Sequence, residues 1–209
     1  MEGVDKLLAD VHGAPLLDRT VQFFQESSLV DDIVLVLRPE LVLEWRDRAK
    51  RHGWSKITAV VGGGTRRQDS VAAGLSSLAR CDWVMIHDGA RPCVTEGILL
   101  RGLEAAEETG AAIAAVPAKD TVKLVRDDLV VESTPIREAV WLVQTPQIFA
   151  FDIISKAYQT SDHDVTDDAS LVEQAGFKVK VFMGAYTNIK VTTPDDLELV
   201  ETFLRGSGH

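Results

Sequence analysis

Trp83-Val84-Met85-Ile86-His87-Asp88-Gly89-Ala90-Arg91-Pro92 passes from an apolar run straight into a charged turn. A strand buried on both faces reads as such a run, and ligands of open α/β sheets gather beyond the carboxyl ends of those strands. Asp88 stands at that end. A carboxylate there can hold a divalent cation against a phosphorylated ligand, and Arg91 can offer a fixed charge to an anion. Asp-Gly is also an ordinary turn signal, so the rest of the chain must decide between the two readings. Apolar runs at 33–37, 57–61, 83–86 and 111–116 alternate with helical patterns near 14–26, 41–51, 69–78 and 96–108, which predicts a parallel α/β sheet. The segment 120–144 breaks the rhythm: it reads as a polar-tipped hairpin without an intervening helix, an arm leaving the domain. Helices near 152–160, 167–175 and 194–204 and strands near 178–183 and 189–191 complete a single domain over 1–209.

The chain has 209 residues, 45% of them hydrophobic, enough for one sizeable core. Its 32 acidic and 22 basic residues leave a net charge of -10, which argues against nucleic acid or an acidic membrane surface as partner. A small phosphorylated ligand remains compatible, because it needs cations only in one place. Two cysteines, Cys81 and Cys93, form neither a zinc-type pair nor a disulfide framework, and no long apolar span is present. A cytoplasmic protein is expected.

A second motif, Val60-Val-Gly-Gly-Gly-Thr-Arg-Arg-Gln-Asp-Ser-Val71, puts three glycines after a strand and Asp69-Ser70 where a helix should begin. Glycines admit close backbone approach to a ligand, and a helix start offers free N–H donors. The motif is equally a flexible loop with a cap, and it matches neither the Walker nor the dinucleotide fingerprint. Asp120-Thr121-Val122-Lys123, Thr145-Pro146-Gln147, Thr166-Asp167-Asp168-Ala169-Ser170 and Asn188-Ile189-Lys190-Val191-Thr192 set hydroxyls beside charges at segment ends. Two features argue against a Ser70–His87–Asp88 triad: there is no nucleophile elbow, and neighbours on a strand point to opposite faces. Asp162-His163-Asp164 with Asp167 and Asp168 lacks the glycine of a calcium loop and reads as a solvated acidic loop.

In their joint order, these motifs across 60–196 resemble the 2-C-methyl-D-erythritol 4-phosphate cytidylyltransferase family. The resemblance implies a Rossmann-like nucleotidyltransferase fold, of the nucleotide-diphospho-sugar transferase type, with a mostly parallel central sheet and a projecting β-arm. It further implies CTP and a sugar-alcohol phosphate as substrates, Mg2+ or another divalent cation, and a homodimer clasped by the arm. Gly63, Gly64, Thr65 and Ser70 would border the cytosine. Thr65 departs from the acidic residue that the family carries there as often as not. Asp88 would meet nucleotide, metal and sugar phosphate. Thr121, Arg137, Thr166 and Lys190 would hold that phosphate, with Arg137 completing the neighbouring subunit's site. Lys6, Asp88 and Lys190 would be the catalytic set. Such a reaction joins two polyanions through an already ionised nucleophile, so cations matter more than a general base, and His87 takes a structural role.

The likeness also sets an expectation for the start. Family members open with a buried strand and a loop of the type Ala-Ala-Gly-x-Gly-x-Arg-Met, of which Met1–Leu7 reads as the tail, with Met1 at the methionine and Lys6 at the family's lysine. The glycines and the loop arginine are then expected upstream of residue 1. The alternatives are a ribitol 5-phosphate cytidylyltransferase and a non-catalytic binding or dimer-partner protein that keeps the fold.

Overall fold

The computed structural model describes residues 6–160 and 165–206; Met1 and the 162–164 acidic triplet discussed above lie outside them. In chain order the elements are β1 (Asp10–Val11), β2 (Ala14–Pro15), α1 (Leu16–Glu26), β3 (Ile33–Leu37), α2 (Val42–His52), β4 (Ile57–Gly62), α3 (Arg67–Ser77), β5 (Trp83–Ile86), α4 (Glu96–Thr109) and β6 (Ala111–Pro117). There follow β7 (Leu124–Val125), β8 (Val131–Ser133), β9 (Trp141–Ala150), α5 (Phe151–Thr160), α6 (Asp168–Gln174), β10 (Lys180–Met183) and α7 (Pro194–Gly206). The helix expected from 14 starts two residues later. His12 and Gly13, both at positive φ (53° and 81°), instead close a two-residue hairpin between β1 and β2, the turn that best matches strand twist.

β3 and β4 pair in parallel, and a second sheet has the order β10-β6-β9-β5. There β10 and β6 are parallel, whereas β9 runs antiparallel to both β6 and β5. The parallel expectation therefore holds around one reversed strand. β6 is a run of buried small residues, Ala111, Ala112, Ala114 and Ala115 all at 0% exposure, so helices approach its faces closely. Gly102 of α4 shows how closely: a Cβ there would lie 2.5 Å from Ile148 Cδ1 and 2.7 Å from Phe182 Cζ, below any tolerable contact. The β3–β4 pair has a core of its own, where Leu35, Leu37 and Val60 pack with Trp45 and Trp54.

The main correction concerns the segment 120–144. Its tip is a hairpin, with β7 paired to β8, but the arm ends before Trp141, and 141–150 is a strand inside the sheet. Proline and glutamines in a central position argue against a strand. The register shows why they are admitted. Gln147 pairs with Ile113 and Val143 with Ala115, so Gln144, Thr145 and Pro146 face only Ala114. Pro146, preceded by a cis peptide, sits in that bulge, where the ladder does not need its missing N–H. The expected strand at 189–191 is not formed either. One backbone bond, from the Val191 N–H to the Ala90 carbonyl (2.9 Å), holds that segment. Among the described residues no helix is long and apolar enough to cross a membrane.

Candidate active site

The turn after β5 is tied down from several directions. The Asp88 N–H donates to Thr145 Oγ1 (3.0 Å), the Gly89 carbonyl accepts from Thr20 Oγ1 (2.8 Å), and the Arg91 N–H closes the turn onto the Asp88 carbonyl (3.0 Å). His87 faces away from Asp88. Its Nε2 lies 3.0 Å from the Arg91 carbonyl and its Nδ1 3.2 Å from Thr145 Oγ1, with Phe24 against the ring. A carbonyl only accepts, so Nε2 carries the proton and Nδ1 accepts from Thr145. Burial pushes His87 down to about 4, so it is neutral at ordinary pH and braces the turn.

Asp88 opens into a cleft of about 490 Å³ between β5, the β9 bulge, the start of α6 and the segment carrying Lys190. Three cations converge on its carboxylate. Lys190 Nζ lies 2.9 Å and Arg91 Nε 3.6 Å from Oδ2, and Arg67 Nε lies 3.9 Å from Oδ1. Burial by itself would raise the Asp88 pKa; Lys190 foremost, then Arg67 and Arg91, outweigh it and hold the carboxyl below its ordinary value. The Val191–Ala90 bond is what brings Lys190, one residue earlier, beside Asp88. Arg91 is less available to a ligand than its sequence position suggests, because it donates to the Asn188 carbonyl (2.8 Å) while facing Asp88.

On the opposite wall, Thr166 lines the cleft directly before Asp167, the N-cap of α6, whose carboxylate accepts from the Ser170 N–H at 3.1 Å. Gln147 spans from the bulge to this helix start. It donates to Asp167 Oδ2 (3.0 Å) and accepts from the Ala169 N–H (3.2 Å). The bulge thus serves the site directly: Gln144, Thr145 and Gln147 all line the cleft.

Of the residues singled out by sequence, Asp88, Arg91, Thr166 and Lys190 meet here. The rest lie around it. Gly63, Gly64 and Thr65 form the β4–α3 turn and Ser70 lies in the first turn of α3, all outside the cleft lining, although Arg67 at the start of α3 projects into it. The α3 helix begins at Arg67, ahead of the expected Asp69-Ser70 start, because Asp69 at its third position reaches back to the Arg66 N–H (3.2 Å). A Cβ on Gly63 would fall 2.5 Å from Ser70 Oγ and one on Gly64 2.3 Å from Asp69 Cβ. Close loop packing therefore already requires both glycines. Thr65 gives its hydroxyl to Asp69 (3.3 Å). Lys6 is half-buried in a short turn (Lys6–Leu8) that packs near Gly89, where a Cβ would meet Leu7 Cδ2 at 3.5 Å. Thr121 and Arg137 are exposed on the arm and do not line the cleft of their own chain; Arg137 pairs with its neighbour Glu138.

In the sequence Arg67 reads only as one scattered candidate cation for a phosphorylated ligand, and Thr145 and Gln147 carry no site role. Thr145-Pro146-Gln147 was visible as a motif, but only the bulge register reveals that it faces Asp88.

A cation-rich cleft at the carboxyl end of β5, in a Rossmann-like sheet without a dinucleotide fingerprint, places the chain with the nucleotidyltransferases. The sequence pattern of the 2-C-methyl-D-erythritol 4-phosphate cytidylyltransferase family matches residues 1–206, and the chain belongs to that family. It is 49% identical to the Dehalococcoides mccartyi (strain CBDB1) 2-C-methyl-D-erythritol 4-phosphate cytidylyltransferase, over 98% of this chain and 90% of the relative. The Geobacter metallireducens relative of the same description is 44% identical over 92% and 86%. Among solved structures, the 4-diphosphocytidyl-2C-methyl-D-erythritol synthase of Anaerococcus prevotii superposes with a TM-score of 0.85 at 34% identity, covering 95% of this chain and 93% of that one. The Thermus thermophilus cytidylyltransferase gives 0.80 at 32% identity, covering 96% and 94%.

Proposed function

We infer that this protein transfers CMP from CTP to 2-C-methyl-D-erythritol 4-phosphate in isoprenoid precursor synthesis, with Asp88 and its three cations as the reacting centre. An oxygen of the phosphate monoester attacks the α-phosphorus of CTP in line. The new P–O bond forms as the bond to the β-phosphate bridging oxygen breaks, and pyrophosphate leaves with that electron pair. The observation that carries the reading is the convergence of Lys190, Arg91 and Arg67 on Asp88. Cations fixed before the substrates arrive lower the cost of bringing two polyanions together and stabilise charge that develops in transfer. Lys190 is the group best placed to accept the incoming phosphate, and the Thr166 hydroxyl faces the same space. His87 takes no proton, being neutral and committed on both nitrogens. Lys6, in the turn packed near Gly89, is assigned to the nucleotide phosphates. Gly63, Gly64, Thr65 and Ser70 are assigned to the cytosine side.

Magnesium or another divalent cation fits this site. Among the described residues no three His, Cys, Asp or Glu side chains group to hold an ion by themselves. Asp88 offers one hard carboxylate at a cleft, the pattern of an ion bound by a carboxylate together with substrate phosphates. When bound, it would neutralise phosphate charge on the triphosphate.

The arm supports a homodimer. Leu129 is 85% exposed, Ile136 74% and Val131 51%, and a two-stranded hairpin carrying such apolar surface is marginal until covered. Pairing about a two-fold axis would cover it and bring Thr121 and Arg137 to the neighbouring subunit's cleft. The deciding assay measures pyrophosphate release for CTP, UTP, ATP and GTP with methylerythritol phosphate or ribitol 5-phosphate. CTP with methylerythritol phosphate should be fastest. Equal rates with all four nucleotides would remove the cytosine assignment, and faster use of ribitol phosphate would replace the acceptor.

A further inference from the structure

Arg67 lines the cleft as one of the three cations around Asp88, and it is the one held from behind by a buried acid. Its position is unusually constrained. At the first residue of α3, it donates from one terminal nitrogen to Asp168 Oδ2 at 2.6 Å, and the Asp168 side chain is only 1% exposed. Asp168, the first residue of α6, accepts from the Tyr158 hydroxyl of α5 through its other oxygen, also at 2.6 Å. Both oxygens of this buried carboxylate are therefore committed, and three helices meet on it. A charge-assisted bond to a desolvated acid is a firm anchor.

The Nε of Arg67, on the same edge of the guanidinium as the nitrogen that holds Asp168, faces Asp88 at 3.9 Å. Lys190 and Arg91 both address Asp88 Oδ2, whereas the Arg67 Nε addresses Oδ1. That division has a consequence for geometry. The terminal torsion of an aspartate is broad, so two cations gathered on one oxygen leave the rotation of the carboxylate poorly defined. A third, fixed cation at the other oxygen defines it. Only a planar fork can bond the Asp168 carboxylate with one nitrogen and present another to Asp88; a lysine ammonium is a single point charge.

We propose that Arg67 is a positioning residue for the cytidylyl transfer, anchored on Asp168 and Tyr158 and setting which oxygen of Asp88 faces the reactants. The proposal rests on the assignment of Asp88 to the reaction made above. It gives α3 two tasks: its turn borders the nucleotide side, and its first side chain orients the central carboxylate.

Removing Arg67 alone would strand a buried carboxylate, so the test removes both charges together. The double variant Arg67→Gln, Asp168→Asn keeps size and hydrogen bonding and leaves no unpaired buried charge. Arg67→Lys, which retains a cation for Asp168, is the second arm. In the double variant kcat should fall about tenfold or more, the worth of one charge-assisted contact, while KM for either substrate moves less than about threefold. In an Asp88→Asn background the same two changes should cost less than about threefold, because groups that act through one another are not additive. Arg67→Lys should fold as the parent does and lose kcat in the same direction. A crystal structure of the unliganded double variant should show the Asp88 carboxylate rotated or in more than one orientation. The proposal is overturned by kcat within about threefold of the parent in Arg67→Lys or the double variant, or by a loss that multiplies fully with Asp88→Asn. An Asp88 carboxylate that keeps its parental orientation overturns it as well. Failure of the parent protein to transfer CMP would instead refute the assigned reaction, and the crystallographic arm would still decide the positioning role.

Discussion

Thr145→Val tests the link between the bulge and the turn that carries Asp88. The Thr145 side chain is buried; Oγ1 accepts the Asp88 N–H at 3.0 Å and donates to His87 Nδ1 at 3.2 Å. Valine fills the same volume without either bond. The Asp88 N–H and His87 Nδ1 then lose their partner in a place closed by Phe24 and the sheet. At about 1–3 kcal/mol for each of the two buried groups left unpaired, the loss should be about 2–6 kcal/mol, a large part of the roughly 5–15 kcal/mol of a typical domain. Urea unfolding followed by tryptophan fluorescence gives the number, with the midpoint falling and the slope unchanged. Thr145→Ser separates hydroxyl from shape. It keeps both bonds and should lose only about 1 kcal/mol, the worth of one buried methyl group. A valine variant within about 0.5 kcal/mol of the parent, the range of ordinary surface changes, would refute this account of the turn. So would a serine variant as unstable as the valine one.

Lys190→Ala and Arg137→Ala should each cut use of the sugar phosphate about ten- to hundredfold. If Arg137 serves the neighbouring subunit, a mixture of the two impaired proteins should regain activity on subunit exchange, and a monomer by light scattering would remove that arrangement. Gly110 ends α4 at φ +79°, and a Cβ there would meet Ile153 Cδ1 at 2.4 Å; Gly110→Ala should cost at least about 1–2 kcal/mol by thermal unfolding. Asp196 accepts the Thr192 and Thr193 N–H groups at the start of α7 (2.8 and 2.7 Å), which pull its pKa down to about 2. Because the folded value lies below the unfolded one, its contribution is present above about pH 4 and is lost as pH falls through about 2. Asp196→Ala should therefore be less stable than the parent at neutral pH, and the gap should narrow on acidification; a gap independent of pH would contradict the assigned bonds.

The amino-acid sequence by itself determined the alternation of strands and helices, because buried runs such as 111–116 and amphipathic stretches such as 96–108 are local patterns with a local cause. It also marked Asp88 at a strand end, Lys190 near the chain's close and Thr166 before a helix, since each sits at a punctuated segment end, and their order carried the family likeness. Only the tertiary structure decided what stands next to what. Nothing local announces that Pro146 occupies a bulge in a central strand, because the bulge exists only through the register of β9 against β6. Likewise Arg67 and Asp168 are 101 residues apart, and their 2.6 Å contact exists only once α3 has packed on β3 and β4 and α6 on β6. Charges distant in sequence find one another only after the apolar faces beneath them have been buried, and that long-range packing is what turns separate motifs into one cleft.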